Sequence, residues 1–273
     1  VYKKKHHPHE VPLVVQDAQG KARRNPNEIT VNQHVIPQAH LKEWARPDGL
    51  LNVFDKQKGS WITPAPANAL TVRRLWNQWT ETTFLGTNER NYQDQVGLIK
   101  ASRPIEHHEH ISAYFFMLCI RAEVASRERP DYPPIMELSS PASTQSELEE
   151  IELQNVGSSV HMSYPGGDGS QSLARDTVGT AMNMMFIRGV AKFTGMIWTP
   201  FNMKGKNAVL PDSFVKMHGS GLAILPITPN IVLIGSGTRN RLVADGELTP
   251  TSINEALLGS SVRHYIASSQ TED

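Results

Sequence analysis

From Ile111 to Val124 the chain places apolar side chains on nearly every face of a helix, with the single Cys119 and one arginine, Arg121, among them. A helix without a polar face cannot lie on a surface, so the rest of the chain has to wrap around it. With 273 residues and 39% hydrophobic content, the chain has enough apolar surface for such a core, in one large domain or two small ones. Residues 105–130, "IEHHEHISAYFFMLCIRAEVASRERP", are therefore expected to hold the core helix. Arg121 needs a carboxylate or carbonyl partner there, or else it binds a phosphate or substrate. Cys119 excludes an internal disulfide, fits a reducing compartment and is read as a buried, inert thiol.

Shorter patterned segments surround this helix. Pro37 presets the backbone for a first helical turn, with Leu41 and Trp44 facing inward at i, i+3. "LLNVFDKQKGSW" alternates around Lys-Gln-Lys-Gly as a hairpin does, leading to a second strand in "SWITPA". A helix from about Ser172 to Val190 repeats Leu173, Val178, Met182, Met185 and Phe186 at helical spacing. "FTGMIWTPF" and "AVLPDSFVKM" flank a Gly205 turn and are expected to pair, and "GLAILPITPNIVLIGSG" offers two strands around Thr-Pro-Asn. Ser252 with Glu255 predicts a capped helix, followed by a last strand in "RHYIAS". The sum is an α+β fold, a helical middle with an N-terminal β-hairpin and a C-terminal mixed or antiparallel sheet.

Residues 1–27 read as an extended N-terminal arm with "VPLVV" as a strand or as a docking point for a partner protein. Residues 28–273 read as a single α+β domain with a mobile insertion near 139–170. Such polar, Ser- and Gly-rich stretches bury too little apolar surface to offset backbone ordering of about 1–2 kcal/mol per residue. Limited proteolysis is predicted to cut in residues 1–27 and 139–170 first; early cleavage inside 111–124 would contradict the assigned core.

Lys plus Arg is 27 and Asp plus Glu is 27, so no overall field draws the chain to a polyanion. A nucleic-acid contact would need local patches, for which the candidates are Arg73 and Arg74, Lys204 and Lys206, and Arg239 and Arg241. His6, His7 and His9 read as a solvated basic tail, with loose metal binding as the rival reading. In "EHHEH", 106–110, His107 and His110 stand at i, i+3 and Glu106 and His110 at i, i+4. That spacing is able to hold one metal ion, and it equally suits a solvated helix start. "PGGDGS" lacks the strand and Gly-Lys-Ser/Thr of a phosphate loop, and no dinucleotide fingerprint occurs. No apolar run reaches the ~18 residues that span a bilayer, and the N-terminus lacks a signal-peptide core. A cytoplasmic protein without membrane contact is expected.

Residues 32–59, "NQHVIPQAHLKEWARPDGLLNVFDKQKG", resemble the opening of the bacterial domain-of-unknown-function family 4238. That family begins with His-x-x-Pro-x-x-x-Leu-x-x-Phe and a hairpin carrying Val-Tyr-Asp-Lys. His34, Pro37, Leu41, Trp44 and "VFDK" 53–56 match position by position. Arg121 matches an arginine carried after a similar helix, and Asp212, "LPITPNIVLI" 225–234 and "INEALLGSSVRHYIAS" 253–268 match the C-terminal half. Pro211 and Phe214 depart, where the family has Ser and Pro.

The resemblance carries no established activity. It implies a polar set in which His34 and Asp212 are catalytic and Arg121 and Asn254 bind substrate, with the His34 turn and the Asp212 loop adjacent. An imidazole, a carboxylate and a guanidinium are parts for phosphoryl chemistry. The leading expectation is an enzyme acting on phosphodiester or nucleotide bonds, a nuclease-like hydrolase, with antiphage defence implied by family association alone. The rivals are a non-catalytic binding or scaffold module whose polar residues are structural, and a nucleotide- or NAD-consuming transferase toxin. A divalent metal is compatible with this set, but no ligand is assigned, and nucleic acid or nucleotide is the expected partner.

Overall fold

In the computed structural model, residues 14–16, 19–24, 30–127, 170–193, 195–214, 222–237 and 248–270 are described. Most of the expected insertion, and Arg239 and Arg241, lie outside them. Within the N-terminal arm, β1 (Val14–Gln16) pairs antiparallel with β2 (Ala22–Arg24), so a hairpin stands where one strand was expected. Next, β3 (Asn32–His34) enters α1 (Gln38–Lys42), and Leu41 and Trp44 are both buried. Pro37 sits one position before the helix, at φ −51° and ψ 143°, as its N-cap residue.

The expected hairpin forms from β4 (Asn52–Asp55) and β5 (Ser60–Ile62). Asp55 shapes its turn by accepting the backbone N–H groups of Gln57 and Lys58 at 3.1 and 3.3 Å. After β6 (Thr71–Arg73), which pairs antiparallel with β3, comes a helix absent from the sequence reading. It runs through a π-helical turn, Thr80–Leu85, into α2 (Gly86–Lys100). α3 (His108–Ser126) is the expected core helix and α4 (Ser170–Val190) the expected long helix that packs on it. A Cβ at Gly189 would fall 2.1 Å from the Phe116 ring, so only glycine allows α4 to approach α3 this closely.

The C-terminal strands form two sheets, and all their pairings are antiparallel. β9 (Ala223–Thr228) and β10 (Ile231–Ser236) make the expected hairpin around Pro229 and Asn230, and β10 also pairs with β7 (Ile197–Asn202). β7 therefore does not pair with the segment that follows it, as the Gly205 turn suggested. The chain after the turn crosses the β9–β10 hairpin instead, with Ala208 N–H donating to the Pro229 carbonyl at 2.7 Å. It then joins the other sheet as β8 (Leu210–Pro211), in the order β5-β4-β11-β8, where β11 is His264–Ala267. Between them lies α5 (Pro250–Ser260), whose N-cap is Thr249 and not Ser252. Pro250 takes the first helical position, and the Thr249 and Ser252 side chains exchange hydrogen bonds with each other's backbone.

The sheets and helices meet around α3. Trp198 Nε1 donates to Ser112 Oγ at 2.9 Å, and the rings of Phe115, Phe193, Trp198 and Phe214 pack together. Cys119 is free and half-buried, its thiol pushed up to about 12 by burial, as an inert core thiol should be. No helix among the described residues is long and apolar enough to cross a membrane.

α1, α3 and β9 are tied by one buried polar link. Tyr114 O–H and His40 Nδ1 lie 2.9 Å apart, and His40 Nε2 lies 2.8 Å from the Pro226 carbonyl. The carbonyl can only accept, so Nε2 carries the imidazole proton and Tyr114 donates to Nδ1. Burial pushes His40 from 6.5 down to about 4. The unfolded chain takes up this proton below pH 6.5 while the folded one resists it, so stability is intact above 6.5 and falls as pH drops towards 4. The loss from this group is predicted at roughly 3 kcal/mol, taking about 1.4 kcal/mol per pH unit. Urea unfolding at pH 7, 5.5 and 4 should show it, and His40→Gln should flatten that part of the profile. Equal slopes in both proteins would show that His40 does not titrate with folding.

Candidate functional site

Arg121 is 1% exposed, and its charge is met by a ring of side chains from other elements. Its Nη2 donates to Glu89 Oε1 at 2.6 Å and lies 3.8 Å from Glu81 Oε2. Glu81 Oε2 also accepts Trp76 Nε1–H at 2.7 Å, and the guanidinium carbon sits 5.9 Å from the Trp76 ring centre. Nε and Nη1 of Arg121 are buried without a hydrogen-bond partner. Glu89 belongs to α2 and Glu81 to the π-helical turn, so this one helix supplies both carboxylates.

The surrounding polar contacts fix the frame. Gln33 is buried and its Oε1 accepts the Leu75 and Trp76 backbone N–H groups at 2.6 and 3.0 Å, while its Nε2 donates to the Trp76 carbonyl. Asn77 accepts Thr80 N–H at 2.9 Å, which caps the helix that carries Glu81, and donates to Asp176 of α4 at 2.8 Å. A Cβ at Gly179 would lie 2.6 Å from Thr80 Oγ1 and 2.9 Å from Asn77 Oδ1. Glycine there lets α4 close over the cap.

His34 ends β3 beside this ring. Its Nε2 lies 3.1 Å from the Pro66 carbonyl, so Nε2–H donates and Nδ1 holds the lone pair. Burial lowers the His34 pKa below 6.5, and the positive charge of Arg121 adds to that against the Pro66 contact and Glu89. Glu89 is displaced the other way: burial raises its pKa above 4.5, and Glu81 raises it further against the pull of Arg121 and His34. A neutral imidazole with a free lone pair and a carboxyl group that keeps its proton to higher pH thus face one cation. Chemically, a group of each kind is able to serve as a general base and a general acid.

Other expected site residues have structural work. Asp212 Oδ1 accepts Val262 N–H at 2.8 Å, and Oδ2 accepts Arg263 and His264 N–H at 3.0 and 2.8 Å. It folds the turn between α5 and β11, and His264 bridges it at 3.7 Å to Asp55, also at 3.7 Å. Asp212 thus follows a strand of the four-stranded sheet, whereas His34 lies in the β3–β6 pair. Pro211 pairs with Tyr265 in that sheet, and the Phe214 ring packs on Phe115. Those two departures from the family pattern serve packing of the loop. Asn254 accepts Val209 N–H at 3.2 Å and donates to the Asn207 carbonyl at 2.8 Å, pinning the loop before β8.

Of the basic candidates, Arg74 is 2% exposed at φ 43°. It is an interior residue and no part of an open phosphate track. Arg73 is half-buried, and Lys204 and Lys206 are exposed on the turn after β7, with Lys206 Nζ donating to Thr251 Oγ1 at 3.0 Å. A depression of about 510 Å³ lined by Trp44, Arg46, Pro47, Asp48, Pro229 and Ser268 contains none of the Arg121 ring. Its guanidinium, Arg46, is already bound to Asp48 and Asn52.

Glu81 and Glu89 were missed because the helix carrying them was missed. Tyr92, Val96 and Ile99, buried and spaced i, i+4, i+7, are the sequence signal that reveals it. The family model described as protein of unknown function (DUF4238) matches residues 32–156, a span that holds His34, Glu81, Glu89 and Arg121 and ends before Asp212. No curated protein and no solved structure matches the chain.

Replacing Arg121 by Met would leave Glu89 and Glu81 facing each other in a partly buried ring. Loss of one partner of a buried pair costs about 3–5 kcal/mol, and partial exposure of the two carboxylates reduces this to roughly 2–3 kcal/mol. Urea denaturation of Arg121→Met should show that loss, and Glu89→Gln in the same chain should recover part of it. A variant as stable as the parent would mean the ring is not a stabilising ion pair.

Proposed function

Residues 32–156 of this chain belong to the family described as protein of unknown function (DUF4238), and on that premise we propose that the protein is an enzyme cleaving a nucleotide or phosphodiester bond by acid–base catalysis. His34 is its base and Glu89 its acid. The observation that carries this reading is the opposite displacement of these two groups beside one buried guanidinium. In hydrolysis, His34 Nδ1 takes a proton from water, whose oxygen bonds to phosphorus. The bond to the leaving oxygen breaks and that oxygen takes the proton of Glu89. Arg121 offers Nε and Nη1, the donors left without partners, to a phosphate oxygen. With Arg74 inside the protein, the described surface favours a single nucleotide over a long polymer as substrate.

A second reading rests on Glu81. Two carboxylates about one guanidinium, one hydrogen-bonded by the Trp76 indole and one raised, also suit attack at a glycosidic carbon of a nucleotide such as NAD. Incubation with labelled DNA, RNA, NAD and free nucleotides, with and without EDTA, separates the readings by product: a new phosphate end in the first, a released base in the second. No turnover of any substrate would favour a non-catalytic scaffold.

The expected pH profile is bell-shaped. Activity rises as His34 loses its proton, below pH 6.5, and falls as Glu89 loses its own, above pH 4.5. His34→Asn should lower kcat/KM by about 10²-fold or more and erase the acid limb, and Glu89→Gln should do the same to the alkaline limb. His34→Asn should stay folded and lose about 1 kcal/mol of stability; Glu89→Gln, which removes the nearer partner of buried Arg121, should lose more, so its activity is compared per folded molecule. A His34→Asn protein with a much lower melting temperature and unchanged activity per folded molecule would retire His34 as a catalytic residue.

A further inference from the structure

The start of α3 carries a second group of ionisable side chains, remote from the Arg121 ring. His107, Glu109 and His110 each bring one donor atom to within 4.8 Å of the others, and they are the one such group of three among the described residues. The imidazole rings of His107 and His110 lie 4.8 Å apart, and His107 Nδ1 is 2.8 Å from Glu109 Oε1. His110 Nδ1 is shut off from solvent without a hydrogen-bond partner. His108, between them, is engaged elsewhere: its Nδ1 accepts the Trp198 backbone N–H at 3.1 Å.

The backbone that presents these groups is held from both sides. Gln95 is buried in α2, and its Oε1 accepts the backbone N–H groups of Glu106 and His107, both at 3.0 Å. The Trp198 contact with His108 ties the first turn of α3 to β7. The donors are therefore gathered before any ion arrives, which lowers the cost of ordering them.

The geometry points to a Zn²⁺-class site at His107, Glu109 and His110, with a fourth position left to water. Two imidazoles and one carboxylate match borderline transition ions; Mg²⁺ and Ca²⁺ require an oxygen-only set. The helix N-terminus disfavours a cation there. Glu109 offsets that, and the unpartnered His110 nitrogen gains a bond that the metal-free protein lacks. The site shares no residue with the acid–base ring. His110 and Arg121 are eleven positions apart on α3, or roughly 16 Å along the axis. The ion would clasp the entry of α3 and take no part in bond cleavage.

The test uses the full chain with His6, His7 and His9 replaced by Ala, so that the N-terminal histidines contribute nothing. Titration with ZnCl₂ by calorimetry should show one equivalent bound, and Co²⁺ should develop the intense visible absorption of a low-coordinate site. His107→Ala and His110→Ala should each weaken Zn²⁺ at least tenfold, and Glu109→Gln severalfold. Zn²⁺ should raise the melting temperature of the parent and not of His110→Ala. His107 and Glu109 are exposed, so those variants keep the fold, and circular dichroism checks it. Absence of Zn²⁺ binding, or undiminished binding in the doubly substituted His107→Ala, His110→Ala chain, would overturn the site. Neither result bears on the nucleotide reading, which is tested by turnover.

Discussion

A guanidinium sits on the helix that everything else must enclose, and the architecture around it follows from the need to answer that charge. Arg121 is nearly inaccessible, and an unpaired buried ion costs several kcal/mol. α2 is consequently placed with Glu89 towards it, and the turn before α2 brings Glu81 and Trp76 alongside. Trp76 is held by Gln33, and Gln33 precedes His34 in the same strand. A charge in the core thus reaches through two hydrogen-bonded steps to the one imidazole with a free lone pair beside it.

The electrostatics of the ring bear on what it accepts. If Glu89 keeps its proton, Arg121 and Glu81 balance one another and the ring is close to neutral. On the proposed reading an anionic group would meet no net repulsion there and would find the two buried guanidinium nitrogens that have no protein partner. Once Glu89 ionises, a second carboxylate turns the balance negative. On that reading, proton occupancy of Glu89 would govern affinity for an anion as well as readiness to donate.

Local pattern was enough wherever an element is specified by its own residues. The apolar run of α3, the Met-rich repeat of α4, the β4–β5 turn and the Pro-Asn turn of β9–β10 were all readable, as was the α+β class. The misreadings arose where distant partners decide. The Gly205 turn looks like a hairpin, yet β7 finds a longer ladder on β10, and β8 is drawn to β11. Asp212 and Arg121 both read as polar residues in search of a role, but three backbone amides on a turn some fifty positions later claim the first. His34 and Arg121 read as two members of a polar set with Asp212 and Asn254; the carboxylates beside them, Glu81 and Glu89, were not legible, since the weakly amphipathic α2 yields little to a scan for apolar runs. His40, polar by type and wholly buried, was read only as part of a helix.

The π-helical turn at Thr80–Leu85 sets a rotational register. At about 100° per residue, eight positions along an unbroken α-helix would leave Glu81 and Glu89 about 80° apart around the axis. A turn closed by i→i+5 bonds advances less per residue and swings the two carboxylates back towards one side. The extra residue in that turn acts as a phase correction between two side chains. Relaxing that turn to α-helical bonds with all its residues kept would rotate one carboxylate about 80° from the other, whereas losing the extra residue as well would leave seven α-helical positions, about 700°, and keep both near one side. Bond pattern and residue count between Glu81 and Glu89 are thereby coupled: a change in one keeps the ring only if the other changes with it.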